Sequence, residues 1–344
     1  MSPTRTLCCS LVVGVVVAGL APACATRRAP LVEHAAAQEP APAQAASAAG
    51  FAGTWESTYG VLRLVQEGAR VRGRYSYGNG STVEGAVEGG VLRGTYEEPG
   101  GVRGRLVFAL DDGGGSFRGR WRPEPERALE LDDEDAHDWS GTRVVPVPGR
   151  TWLVILEAHW EGSLGEHEYS YGAMLREFFE RVPSVEVRHR FVHDRADLAR
   201  FCGELAALVE PVVLYVSSHG TEEGVVLGDG VASGAVLGAA LRDAGELKRL
   251  HHGACAVMRG DAPRAIRAAA APHAPFPISG FKVPVDWAGS AIVDFAYLAL
   301  VLEQGMAPAE AVAKTRAMLS AARAPGPDAG PFGGCDLAVS VPEE

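Results

Sequence analysis

The sequence predicts two unlike halves: a small antiparallel β-barrel or sandwich over residues 51–145, then an α/β three-layer domain with a mostly parallel sheet over residues 150–344. Three observations predict this. A Gly-x-aromatic unit recurs at Gly53-Thr54-Trp55, Gly73-Arg74-Tyr75, Gly94-Thr95-Tyr96 and Gly119-Arg120-Trp121, between residues that alternate with no helical period. From residue 150 onward, short apolar runs alternate with amphipathic stretches of helical period, the pattern of strands joined by crossover helices. The chain has 344 residues, 47% of them hydrophobic and 22% charged, which is enough for two cores and excludes a disordered protein.

Ahead of both halves, residues 1–25 read as an export signal. Arg5 gives the positive start, and Leu11 to Leu20 is an apolar run too short to span a bilayer comfortably. Small residues follow in Ala21-Pro22-Ala23-Cys24-Ala25. Three outcomes stay open: lipidation of Cys24 as the first residue of a bacterial lipoprotein, secretion after an Ala-x-Ala cut, or an uncleaved anchor. The first would attach the chain to the cell envelope through a lipid at Cys24. Residues 26–50, rich in Ala, Pro, Gln and Glu, cannot bury a core and are expected to be a disordered tether.

Of six cysteines, Cys8, Cys9 and Cys24 belong to the signal region, leaving Cys202, Cys255 and Cys335. So sparse and odd a set excludes a disulfide scaffold and leaves a thiol unpaired. A net charge of −11 without a Lys/Arg block excludes a phosphate-tracking surface, so no nucleic-acid partner is expected.

In the first half, Tyr77-Gly78-Asn79-Gly80 and Asp111-Asp112-Gly113-Gly114 are turn sequences between alternating runs. About eight short strands in a meander follow from that spacing. The aromatic after each glycine should point inward, where glycine lets the neighbouring strand approach. Two readings are open for this half: a ligand-binding or attachment module, or a scaffold whose aromatics are only core. Val145 to Gly149 is the linker.

In the second half, Trp152 to Glu157, Val185 to Val192, Val212 to Val216, Leu247 to His252 and Phe276 to Phe281 are expected strands. Tyr171 to Val182, Ala196 to Val209, Ala235 to Asp243, Pro263 to Ala271, Ser290 to Glu303 and Pro308 to Ala322 are expected helices. Open parallel sheets carry their sites at the carboxyl ends of strands. Two such ends bear reactive side chains: Ser217-Ser218-His219-Gly220 and His252-Gly253-Ala254-Cys255. An imidazole can take the proton of a thiol, and the thiolate is a nucleophile. The N–H groups of Gly220 and Cys255 are candidate oxyanion donors. No cofactor is expected, and no metal: His219, His251, His252 and Cys255 have suitable atoms, but adjacent His251 and His252 point to opposite strand faces.

At these residues the chain resembles the caspase-hemoglobinase fold, which includes caspases, metacaspases, clostripain, gingipains, legumains and bacterial CHAT domains. The matching segments are Val212-Val213-Leu214-Tyr215-Val216-Ser217-Ser218-His219-Gly220 and, one helix later, Ala254-Cys255. The resemblance spans roughly residues 150–320. It implies a caspase-like fold, a cysteine endopeptidase with a polypeptide substrate, His219 as general base or ion-pair partner, Cys255 as nucleophile and Gly220 as oxyanion donor. In that family, loops after the last strand shape the specificity pockets. Asp286 is then placed to select a basic side chain and Trp287 to form a pocket wall, unless Asp286 only caps a helix. His159, Trp160 and Glu161, with Glu166, His167 and Glu168, lie at the same sheet edge and are placed to line the cleft, or are a solvated loop. The alternative function is an envelope-anchored binding or scaffold protein whose caspase-like half is inactive.

Overall fold

The computed structural model describes residues 50–77, 81–160, 165, 167, 169–271, 275–321 and 336–342. The export signal, Cys24, the tether up to residue 49, the turn residues 78–80, Glu161, Glu166, Glu168 and Cys335 lie outside the described residues.

Strands β1 (Gly53–Ser57), β2 (Gly60–Glu67), β3 (Arg70–Tyr75), β4 (Ser81–Glu88), β5 (Val91–Glu98), β6 (Val102–Leu110) and β7 (Ser116–Arg122) form an antiparallel meander. Short β8 (His137–Asp138) and β9 (Gly141–Arg143) follow, and β9 pairs with both β1 and β7. With β6 also paired to β7, the ring closes into an eight-strand barrel, with β8 alongside β7. Closure removes the exposed sheet edges that a sandwich of this length would have to protect. Trp55, Tyr75 and Tyr96 point inward and are at most 3% exposed, as the Gly-x-aromatic pattern predicts, while Trp121 is half-buried against the same core. The glycines make room for this. A β-carbon on Gly94 would lie 2.2 Å from the carbonyl oxygen of Glu84 on β4.

The second half carries a six-stranded sheet in the order β11-β10-β12-β15-β16-β17. Strands β10 (Thr151–Ala158), β11 (Val185–Val192), β12 (Val212–Ser217), β15 (Leu247–Gly253) and β16 (Ile278–Phe281) pair in parallel, and β17 (Leu337–Ser340) is antiparallel at one edge. Helices α2 (Arg195–Glu204), α3 (Gly234–Ala240) and α4 (Ala262–Ala270) pack on one face, through residues such as Leu198, Leu237 and Ile266 against Leu214 and Leu250. Helices α1 (Tyr171–Phe179), α5 (Trp287–Leu302) and α6 (Pro308–Ala321) pack on the other, through Leu175, Phe179 and Leu298 against Ile155 and Val213. Every residue of β12 is buried, which is why its sequence is a continuous apolar run and not an alternating one.

The fold class read from the sequence is corrected by this structure. Helix makes up only 25% of the chain, and the largest sheet is the closed antiparallel barrel, so the chain as a whole is largely β and not α/β with a small β module in front. Two things shift the balance. The helices are shorter than their apolar periodicity, because α1 stops at Phe179 and α3 at Ala240. Antiparallel strands also enter the second half, as β17 and as the hairpin of β13 (Gly224–Leu227) and β14 (Gly230–Ser233).

Candidate functional site

Parallel pairing of β12 with β15 brings the two reactive strand ends together. Ser217 is the register partner of Gly253, and His219 and Cys255 each lie two residues beyond that pair. His219 is exposed and Cys255 half-buried. The loops touch at Gly220: a β-carbon there would lie 2.3 Å from the carbonyl oxygen of Cys255 and 2.9 Å from its nitrogen. Only a residue without a side chain allows that approach.

Gly220 also forms a β-bridge with Val225. The bridge is made by Val226 N–H donating to the carbonyl of His219 at 2.8 Å and Thr221 N–H donating to that of Gly224 at 2.9 Å. In such a pair the central residue's own N–H points away from its partner strand. The N–H of Gly220 is therefore turned out of the hairpin.

The sulfur of Cys255 is held by a third loop. The N–H of Val285 donates to Sγ at 3.4 Å, and the carbonyl of Val285 lies 3.8 Å from Sγ as acceptor for the thiol. The next residue, Ala256, has φ 57° and is the one non-glycine in the left-handed region among the described residues. An L-residue pays roughly 1–2 kcal/mol for that conformation, and such outliers cluster at functional turns.

Trp160 stands edge-on to His219, with ring centroids 4.9 Å apart and planes at 77°. Its indole N–H donates to Glu157 at 3.0 Å. Glu157, next to last in β10, is fully buried, and also accepts from Ser170 Oγ (2.5 Å), the N–H groups of Tyr171 (2.7 Å) and Gly172 (3.1 Å), and His189 Nε2 (2.8 Å). Burial alone pushes this carboxyl up. Hydrogen bonds from His189, Ser170 and Trp160 outweigh it, and the net position is below the usual carboxylate range. One buried carboxylate thus fixes the start of α1 and the ring beside His219. Neither Trp160's contact with His219 nor the role of Val285 was foreseen. The available signal was Glu157 itself, a charge closing the apolar run WLVIL.

His159 turns the other way. It stacks on Phe191 at 4.8 Å and on His193 at 4.7 Å, toward β11. Asp286 caps α5, its Oδ1 accepting from Gly289 N–H at 2.8 Å, and is exposed. Trp287 is 45% exposed, and its ring lies 5.0 Å from that of Tyr171 and 6.0 Å from that of Tyr169.

The polar strand β15 is accommodated by two different means. His251 is buried between Ser279 Oγ and Asp294 Oδ1, each 2.8 Å away, and Tyr215 donates to Asp294 at 2.6 Å. His252, on the opposite face, is fully buried with neither ring nitrogen hydrogen-bonded among the described residues, and burial, helped by the nearby His251, pushes its pKa down to about 3. Among the described residues no group of three or more His, Cys, Asp or Glu is arranged to hold a metal ion. Cys202 is buried in the apolar core, and burial pushes its thiol up to about 12.

No family model matches this chain, and no curated protein matches it. Among solved structures it is similar to the crystal structure of caspase-1 from Spodoptera frugiperda, with a TM-score of 0.38 and 11% identity, over 56% of this chain and 86% of that one. A likeness at that level fixes neither chemistry nor partner.

Proposed function

We propose that this chain is a cysteine-type endopeptidase in which Cys255 is the nucleophile and His219 the general base. The observation that carries the reading is the contact of Gly220 with the Cys255 peptide, which holds an imidazole-bearing loop and a thiol-bearing loop together at adjacent parallel strand ends. In this mechanism His219 accepts the thiol proton, and Sγ attacks the peptide carbonyl. The tetrahedral oxyanion is met by the N–H groups of Gly220 and Cys255. His219 returns the proton to the leaving amine, and water, deprotonated by His219, hydrolyses the thioester. Asp286 and Trp287 would receive a basic side chain, the carboxylate meeting its charge and the ring its stem.

The test is labelling of the purified protein with peptidyl thiol-reactive probes bearing Arg, Lys, Asp or Asn next to the reactive group, with the modified cysteine located by mass spectrometry. Cys255 should be labelled, Cys202 should not, and His219→Ala should slow labelling by about 10²–10⁴-fold. Labelling of Cys255 at the rate of an unstructured cysteine peptide, unchanged by His219→Ala, would leave the binding-scaffold alternative in its place. The proposal includes export to the envelope, with a lipid at Cys24. No helix among the described residues is long and apolar enough to cross a membrane. Detergent partitioning lost on Cys24→Ser is the expected result.

A further inference from the structure

We propose that the outer face of α5 and α1 is an interface with a second copy of this chain. The starting point is the composition of α5. Its sixteen residues, WAGSAIVDFAYLALVL, contain one ionisable side chain of the charged kind, Asp294, and that one is turned inward to His251 and Tyr215. A helix apolar on all sides belongs inside a protein, yet α5 lies at the surface. Ala288 and Ile292 are exposed, and Phe295, Ala296 and Ala299 are half-buried, forming one stripe at helical spacing. Beside it on α1, Phe178 is 47% exposed, with its ring 5.2 Å from that of Phe295. Between the helices runs an open groove of about 520 Å³, whose lining includes Ala173, Met174, Phe178 and Phe295, with Glu177 and Arg181 at its rim. Contiguous apolar surface of this kind marks an interaction site.

Two features point to a second copy as the occupant. The face alternates large and small: Ile292, Phe295 and Phe178 stand among Ala173, Ala288, Ala296 and Ala299. Two such faces related by a two-fold axis can set the large side chains of one over the alanines of the other, as an isologous contact requires. The rim charges are also self-complementary. Glu177 pairs with Arg176 of its own helix at 2.9 Å, while Arg181, just past the end of α1, makes no ion pair among the described residues, so a two-fold axis can bring Arg181 to Glu177 of the second copy as a further partner. A membrane surface fits less well, because an interfacial helix carries a row of Lys and Arg along its polar side and α5 has neither.

The test is sedimentation velocity of the purified protein at roughly 100 μM, well above the dissociation constants of standard-size interfaces. Wild type should sediment as a dimer. Ile292→Glu and Phe178→Glu should each give monomer while still unfolding in one cooperative thermal transition, at a temperature lowered by loss of the dimer. Arg181→Glu should weaken the dimer about tenfold, and Arg181→Glu with Glu177→Arg should restore it. A wild-type monomer, whether because another partner or a membrane is the occupant, overturns the proposal. So does a dimer that survives both glutamate substitutions, or a charge pair that is not rescued. None of these results depends on whether Cys255 is a nucleophile.

Discussion

Replacing Gly220 with alanine tests the contact on which the proposed chemistry stands. The new β-carbon would lie 2.3 Å from the Cys255 carbonyl oxygen, 2.9 Å from the Cys255 nitrogen and 2.9 Å from the Ala254 β-carbon, while ordinary contact begins at 3.4 Å. The obstructing atoms are mostly backbone, so relief requires the His219 loop to retreat by roughly 1 Å. Misplacing a catalytic group by that much costs about 10²-fold in rate, equivalent to about 2.7 kcal/mol of transition-state stabilisation. The assay is the second-order rate of Cys255 modification by the peptidyl probe that reacts best with wild type, compared with the melting temperature of each protein. Gly203→Ala is the control, because among the described residues nothing lies within 4 Å of a β-carbon there. Gly220→Ala should lose about two orders of magnitude while remaining folded, and Gly203→Ala should lose none. A Gly220→Ala protein reacting within twofold of wild type would show that the contact does not set the geometry of the pair.

His252, with a folded-state pKa of about 3 against an ordinary 6.5, links stability to pH. The unfolded chain takes up the proton first, so its contribution is complete above about 6.5 and is lost progressively as pH falls toward 3. Between pH 7.5 and 5.0 the urea unfolding free energy should drop by about 2 kcal/mol, and His252→Leu should flatten the drop. Glu157 and Glu210, whose carboxyls sit below their ordinary 4.5, lose their contributions only in the range below that value, so an undiminished slope in His252→Leu above pH 5 would refute the assignment. Glu157→Ala would strand the donors of His189, Ser170, Trp160 and the first turn of α1. It should cost about 3–5 kcal/mol in urea unfolding and slow Cys255 labelling through the loosened Trp160. A loss under about 1 kcal/mol would mean that water or neighbouring groups replace the carboxylate.

What was legible in the sequence followed from burial on fixed faces. Val212 to Val216 is buried on both sides, so its composition alone announced a central strand, and the glycine-spaced aromatics announced strands that approach closely. Strands of four residues were harder. Leu337–Ser340 and the Gly224–Leu227 hairpin bury too few side chains to print a period, although Asp229-Gly230 is a recognisable hairpin turn. Barrel closure through β6–β7 and β7–β9 is a non-local pairing with no local signature, and with it went the overall fold class. At the site, the strand ends carrying His219 and Cys255 could be named from the chain, because reactive residues after apolar runs are a local pattern. Trp160 against His219, and Val285 against the sulfur, are made by loops meeting in space. His251 and His252 read as awkward residues for a buried strand, and only the positions of Ser279 and Asp294 on neighbouring elements show how one of them is paid for.

The grip of Val285 on the sulfur of Cys255 is made entirely by main-chain atoms. Val285 also packs its side chain on the core, so replacements there would be felt through packing, while the grip on the sulfur itself survives almost every substituent that retains the N–H and the carbonyl. Proline is the exception, because it alone lacks the donor. The information that holds the thiol is thus stored in the length and path of the loop after β16. Insertions and deletions there, invisible to a scan of single substitutions, are the heritable changes that would erase it.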